Sequence, residues 1–154
     1  MVKEYFGTLL EEVGKLLHIE NLQPDKNNSC LIQFPNKLNL QLEVDPHRNV
    51  LVIGCNLGIV PAGRYRENVF REALKANGVP PPRYGNFSYS KQMDSLVMTS
   101  ELSMQDIHAD KIVHEMRSFL SKANQWREAI SRGDIPTVAQ GTYASKGGGM
   151  FGLT

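Results

Sequence analysis

Four side chains able to do chemistry stand close together late in the chain: His108, Asp110, His114 and Glu115. Such residue types can hold a zinc ion, but a helical zinc pair needs two histidines at i and i+4, so that both imidazoles meet one metal. His108 and His114 are six apart and fall about 120° from each other around a helix, too far to share one ion, so the cluster reads as a solvated face. Asp106 and Asp110 are four apart, and paired carboxylates can divide the roles of general acid and base. Acidic residues in a first helical turn also complement the helix dipole, and that reading is the simpler one. Gly58 and Gly63 have the spacing of a phosphate-binding loop, yet Arg64 and Tyr65 follow where Lys and Ser or Thr are required. Lys146-Gly147-Gly148-Gly149 runs in the wrong order for the same motif. No serine sits in a G-x-S-x-G elbow, and neither Cys30 nor Cys55 has a local base signature. The expectation is a protein that is not an enzyme, with no cofactor and no metal.

Charge and composition narrow the field further. The net charge of +1 gives no electrostatic pull toward nucleic acid or an acidic membrane. Arg64, Arg66, Arg71 and Lys75 make a basic helix side, but Glu67 and Glu72 interleave with them. No apolar run approaches the roughly 20 residues that span a bilayer. The start, Met1-Val2-Lys3-Glu4-Tyr5-Phe6, lacks the charged and then apolar pattern of a signal peptide, so none is expected. The two cysteines lie in apolar strand patterns and read as buried free thiols in a reducing compartment. At 154 residues with 41% hydrophobic side chains, the chain can build one core without staples.

Periodicity then supplies the elements. Val2, Phe6, Leu9, Leu10, Val13, Leu16 and Leu17 give a helix over 2–17, and its apolar stripe, with Tyr5 at the edge, spans roughly 140°, wider than the usual core-facing stripe. Cys30–Phe34 is a short strand. Leu38, Leu40, Leu42 and Val44 alternate with polar residues, as in a strand with one wet face. Asn49–Leu57 is apolar on both faces and is expected to be covered on two sides. Val69, Phe70, Ala73 and Leu74 mark a short helix that Asn77-Gly78 ends through a left-handed glycine. Gly85–Lys91 and Leu96–Leu102 form a hairpin around Gln92-Met93-Asp94. Ser103 is expected to cap the last helix, with Asp106 in its first turn and Leu102 stapled to Ile107. Ala109, Ile112, Met116, Phe119, Ala123, Trp126 and Ile130 make its core seam, which Gly133 and Pro136 end. The order is helix, three strands, helix, two strands, helix: an α+β fold with a twisted antiparallel sheet packed by helices. Residues 1–132 read as the domain and 133–154 as a flexible tail.

This order resembles the class I type III secretion chaperones of the Tir chaperone family. The resemblance rests on the ordered combination of the Leu57-Gly58-x-x-Pro61 break, the Leu74-x-Ala76-Asn77 helix end, the hairpin starting at Gly85, and Phe119-Leu120-x-x-Ala123-x-x-Trp126-Arg127. It implies a cytoplasmic bacterial homodimer without ATPase activity. Such a protein holds the N-terminal part of an effector extended for export, with contacts to the secretion-system ATPase or sorting components. Many relatives are acidic, and this chain is not. The wide stripe of the first helix and the two-faced strand agree with spare apolar surface for a partner. The expected client-binding residues are Tyr5, Leu9, Leu16, Ile32 and Leu40, and the expected dimer contacts are Phe70, Leu74, Phe87 and Tyr89. A protein-binding adaptor or assembly subunit with the same fold is the alternative, because a fold does not fix a function.

Overall fold

The computed structural model describes residues 2–81 and 83–137. Helix α1 (Val2–Leu17) is followed by strands β1 (Ser29–Gln33), β2 (Asn39–Asp45) and β3 (Val50–Gly58). Helix α2 (Arg64–Asn77), strands β4 (Asn86–Ser90) and β5 (Ser95–Ser103), and helix α3 (Ala109–Arg132) complete the order. The strands form one antiparallel sheet in the order β1-β2-β3-β5-β4.

Alternation fixes which face the core occupies. Ile32, Leu40, Leu42, Leu51, Ile53 and Met98 point to one face and are buried beneath α1 and α3. The opposite face carries Leu31, Gln41, Glu43, Val52, Val97 and Glu101, none of them buried. The expectation that β3 would be covered on both sides is therefore corrected. No helix among the described residues lies over that second face, and Val52 is only half-buried, in register with Glu43 on one side and Glu101 on the other.

The wide stripe of α1 also has a different cause from the one expected. Phe6, Leu9, Leu10 and Val13 are all buried within the protomer. The helix packs on the hydrophobic core and against α3 at once, and the Tyr5 hydroxyl donates to the Ile107 carbonyl at 3.3 Å. Two packing partners need a broader stripe than one.

Helix α3 starts later than the capping pattern predicts. Strand β5 runs on to Ser103 because Ser103 pairs with Val50, and the Met104 N–H extends that edge to the Asn49 carbonyl at 2.9 Å. Ser103 Oγ serves a local turn, accepting from the Gln105 N–H at 3.1 Å, and Asp106 has a φ of 58°. The cap is His108, whose Nδ1 accepts from the Lys111 N–H at 3.3 Å. Asp106 and Asp110 therefore do not share a helical face. At the other end Gly133, with φ 74°, takes the left-handed conformation that closes the helix. Helix α2 does not stop that way: Gly78 has φ −85°, and its N–H contacts the Leu74 and Lys75 carbonyls as the last turn tightens.

The expected tail begins as part of the body. The Asp134 N–H donates to the Ala129 carbonyl at 2.8 Å, the Tyr65 hydroxyl donates to the Asp134 carbonyl at 2.8 Å, and Pro136 is buried. The rest of the expected tail, 138–154, lies outside the described residues.

Candidate functional site: two ends of the sheet

At the β4 end, α2 lies beside the last strand. Phe70 and Tyr89 meet with ring centroids 5.5 Å apart and planes tilted by 51°. The Arg66 guanidinium stands 6.0 Å from the Phe70 centroid and 5.7 Å from that of Tyr89. It is fixed there by an ion pair to Asp94 at 3.2 Å and by donating to the Val60 carbonyl at 2.7 Å. The Tyr89 hydroxyl donates to the same Asp94 carboxylate, a bond that pushes the phenol above its ordinary pKa. Arg66 is thus a fixed part of this surface rather than one member of a basic helix side. A small apolar cleft of about 140 Å³ opens between Phe70, Leu74, Phe87, Tyr89 and Leu96. Leu74 projects beside it at 72% exposure, while Phe87 is buried against Trp126 with ring centroids 4.1 Å apart. Ile59 and Met93 are also exposed near this end, Met93 touching Asn56 through its sulfur at 3.6 Å.

At the β1 end the sheet edge is open. Backbone groups of successive strand residues point to alternate sides. Asn28 faces inward, its carbonyl accepting from the Val44 N–H, and Ser29 faces outward, exchanging bonds with Asp25 at 2.8 and 3.0 Å. Leu31 and Gln33 share the outward orientation, both are exposed, and among the described residues their outward amides and carbonyls take no partner. Leu31 itself is 55% exposed.

The five expected client-binding residues do not form one groove. Leu9, Ile32 and Leu40 are 4%, 2% and 0% exposed and serve the protomer's own core. Tyr5 and Leu16 are exposed on the α1 flank. A larger groove of about 1050 Å³ runs along the other flank of α1, past Glu4, Glu11, Lys15, His18 and Glu20, and none of the five lines it. Of the expected dimer contacts, Leu74 and Tyr89 are exposed, Phe70 is half-buried and Phe87 is inside. Leu31, Ile59 and Met93 escape sequence reasoning. Only the pairing of Leu31 with Gln41, a residue of the wet face of β2, reveals which way Leu31 points.

Among the described residues no three His, Cys, Asp or Glu side chains gather closely enough to hold a metal ion, and no helix is long and apolar enough to cross a membrane. Glu115 is engaged elsewhere, accepting from the Ser100 hydroxyl at 2.9 Å. Burial pushes the Cys55 thiol up to about 11 and raises Cys30 as well. Nucleophilic thiolate is then scarce at neutral pH. Alkylation by iodoacetamide at pH 7.5, followed by mass spectrometry, is expected to leave both cysteines unmodified in the folded protein and to label both in denaturant.

The order of elements and the single antiparallel sheet are those of a secretion-chaperone fold. The chain belongs to the Tir chaperone protein (CesT) family, whose pattern matches residues 8–127. Solved structures with the same fold include a chain of the HopA1-SchA chaperone–effector complex, at 18% identity and a TM-score of 0.63, covering 82% of this chain and 96% of that one. The Yersinia pestis type III secretion chaperone SycH, in complex with a stable fragment of YscM2, matches at 17% identity and a TM-score of 0.59, covering 77% and 97%. An uncharacterized protein from Methanothermobacter thermautotrophicus matches at 14% and 0.58, covering 86% and 98%. No curated protein matches the chain by sequence.

Proposed function

We propose that this secretion chaperone acts as a cytoplasmic homodimer in a bacterium with an injection apparatus. It binds the N-terminal region of one or more effectors, keeps that region extended, and passes it to the secretion-system ATPase or sorting components. It does so by binding alone, without catalysis. The observation that carries this reading is the open β1 edge beside exposed Leu31. An extended chain can pair with the outward groups of Leu31 and Gln33, which is β-augmentation, and set apolar side chains against Leu31. Tyr5 and Leu16 on α1 offer further apolar contact along the wrapped path. The client must be non-globular, since a folded surface offers no free strand to an edge. Because the client loses conformational entropy on binding, a long interface is needed for useful affinity.

The dimer is assigned to the α2–β4 face. Phe70, Leu74 and Tyr89 make an apolar surface that a two-fold axis can place against itself. The likeness to the HopA1-SchA chaperone–effector complex supports the client reading. The likeness to the uncharacterized protein from Methanothermobacter thermautotrophicus keeps the adaptor reading as the alternative.

The test is affinity capture with the tagged full chain in its native cell, followed by mass spectrometry and a secretion assay on the captured polypeptide. The expected result is an exported protein held through its N-terminal region. A captured partner that is never exported would favour the adaptor. Leu31→Asp is expected to weaken capture about 30-fold or more, the effect of losing an interface hot spot, with the dimer intact by light scattering. Leu74→Asp, at a position with almost no core contact, is expected to halve the particle mass while leaving the circular dichroism unchanged.

A further inference from the structure

The sheet has a second edge, β4, and the structure treats it differently from β1. Asn77 is the last residue of α2. Its Oδ1 accepts from the Phe87 N–H at 2.7 Å, and its Nδ2 donates to the Phe87 carbonyl at 2.9 Å. These are the two bonds that a residue of a neighbouring antiparallel strand would exchange with Phe87. Because Phe87 bonds outward, alternation places the Tyr89 amide and carbonyl on that same outer side. Among the described residues they take no partner there.

We infer that Asn77 is an edge plug. Its side-chain amide stands in for the next strand, so β4 cannot accept an extended chain while β1 can. An uncovered edge strand is a template for pairing with any other chain, above all a second copy of the same sheet. A protein whose work depends on one open edge needs the other one closed. On this basis two copies that approach through the α2–β4 face meet side chain to side chain, and their sheets do not run together. The plug stands on its own geometry and holds whether the client is an effector or another polypeptide.

Amide hydrogen exchange on the unaltered protein tests the plug directly. After correction for intrinsic rates, the Phe87 amide is expected to exchange about tenfold more slowly than that of Tyr89, as one hydrogen bond provides. Equal rates would overturn the inference. Asn77→Ala is expected to bring Phe87 to the Tyr89 rate and to produce species larger than the wild-type assembly, growing with protein concentration by light scattering. Adding Ser88→Lys, an edge lysine on the exposed side of β4, is expected to return the mass to the wild-type value. An Asn77→Ala protein with unchanged mass, or one whose association survives Ser88→Lys, would also overturn it. If Asn77→Ala fails to fold, the wild-type exchange comparison decides alone.

Discussion

Trp126→Ala is expected to cost about 3–5 kcal/mol, the range for deleting a large aromatic from a core. The indole is only 3% exposed and stacks on Phe87 at 4.1 Å between centroids. Phe87 is held from a second side by Lys122, whose ammonium lies 5.0 Å from the ring centroid and donates to the Gly85 carbonyl at 3.3 Å. Trp126 is therefore the point at which α3 grips the β4 edge. Removing it leaves a cavity beneath Phe87 and unseats the strand that Asn77 closes. For a chain of this size each kcal/mol moves the melting temperature by about 2–4 °C, so a drop of about 10 °C is expected by calorimetry. A fall of only a degree or two would mean that α3 and β4 are held by something other than this stack.

Local pattern carried the element order, and side-chain parity across strands decided most of what it could not carry. Alternation in β2 and periodicity in α1 and α3 reflect burial on one face, which a single segment displays by itself. The orientation of β1 is not of that kind: Leu31 and Ile32 are equally apolar, and only pairing with Gln41 and Leu40 sends one outward and the other into the core. The start of α3 misleads for a related reason. Ser103 and Asp106 satisfy a capping pattern, but Ser103 pairs with Val50 and belongs to the sheet. The two hydrogen bonds exchanged between Asn77 and Phe87 join residues ten apart in the chain. In sequence Asn77 shows only the helix-stop meaning of Asn-Gly.

The two surfaces assigned to partners lie at opposite ends of the sheet. Between β1 and β4 stand β2, β3 and β5, so the edges are separated by about 19 Å at the usual strand spacing. Substitutions that far apart with no shared contacts act independently. Leu31→Asp and Leu74→Asp should therefore combine additively in client affinity per protomer and in dimer mass. A client that bridges both subunits would break that additivity, because losing the dimer would then also remove half of its wrapped path.

Gly85→Ala is expected to destabilise the protein by about 2–5 kcal/mol, and a second glycine separates the two causes. Gly85 has φ +97°, a conformation that costs any residue with a Cβ about 1–2 kcal/mol. A Cβ there would also stand 2.8 Å from Met98 Cε, 3.0 Å from Met98 Cγ and 3.2 Å from Phe119 Cε2. Met98 and Phe119 are both fully buried, so neither can swing aside without disturbing the packing of β5 on α3. Gly133 shares the positive φ, at +74°, but an added Cβ there meets nothing within 4 Å. Gly133→Ala therefore measures the backbone cost alone, and the excess for Gly85→Ala measures crowding where β4 begins. Denaturant titration of the two variants should show Gly85→Ala losing more by at least about 1 kcal/mol. That excess should come with a change in Trp126 fluorescence, since the strand bearing Phe87 must move. Equal losses with an unchanged indole signal would mean that the core beside Gly85 has room to spare. The close seating of β4 on α3, on which the closed edge and the proposed dimer face both depend, would then rest on other contacts.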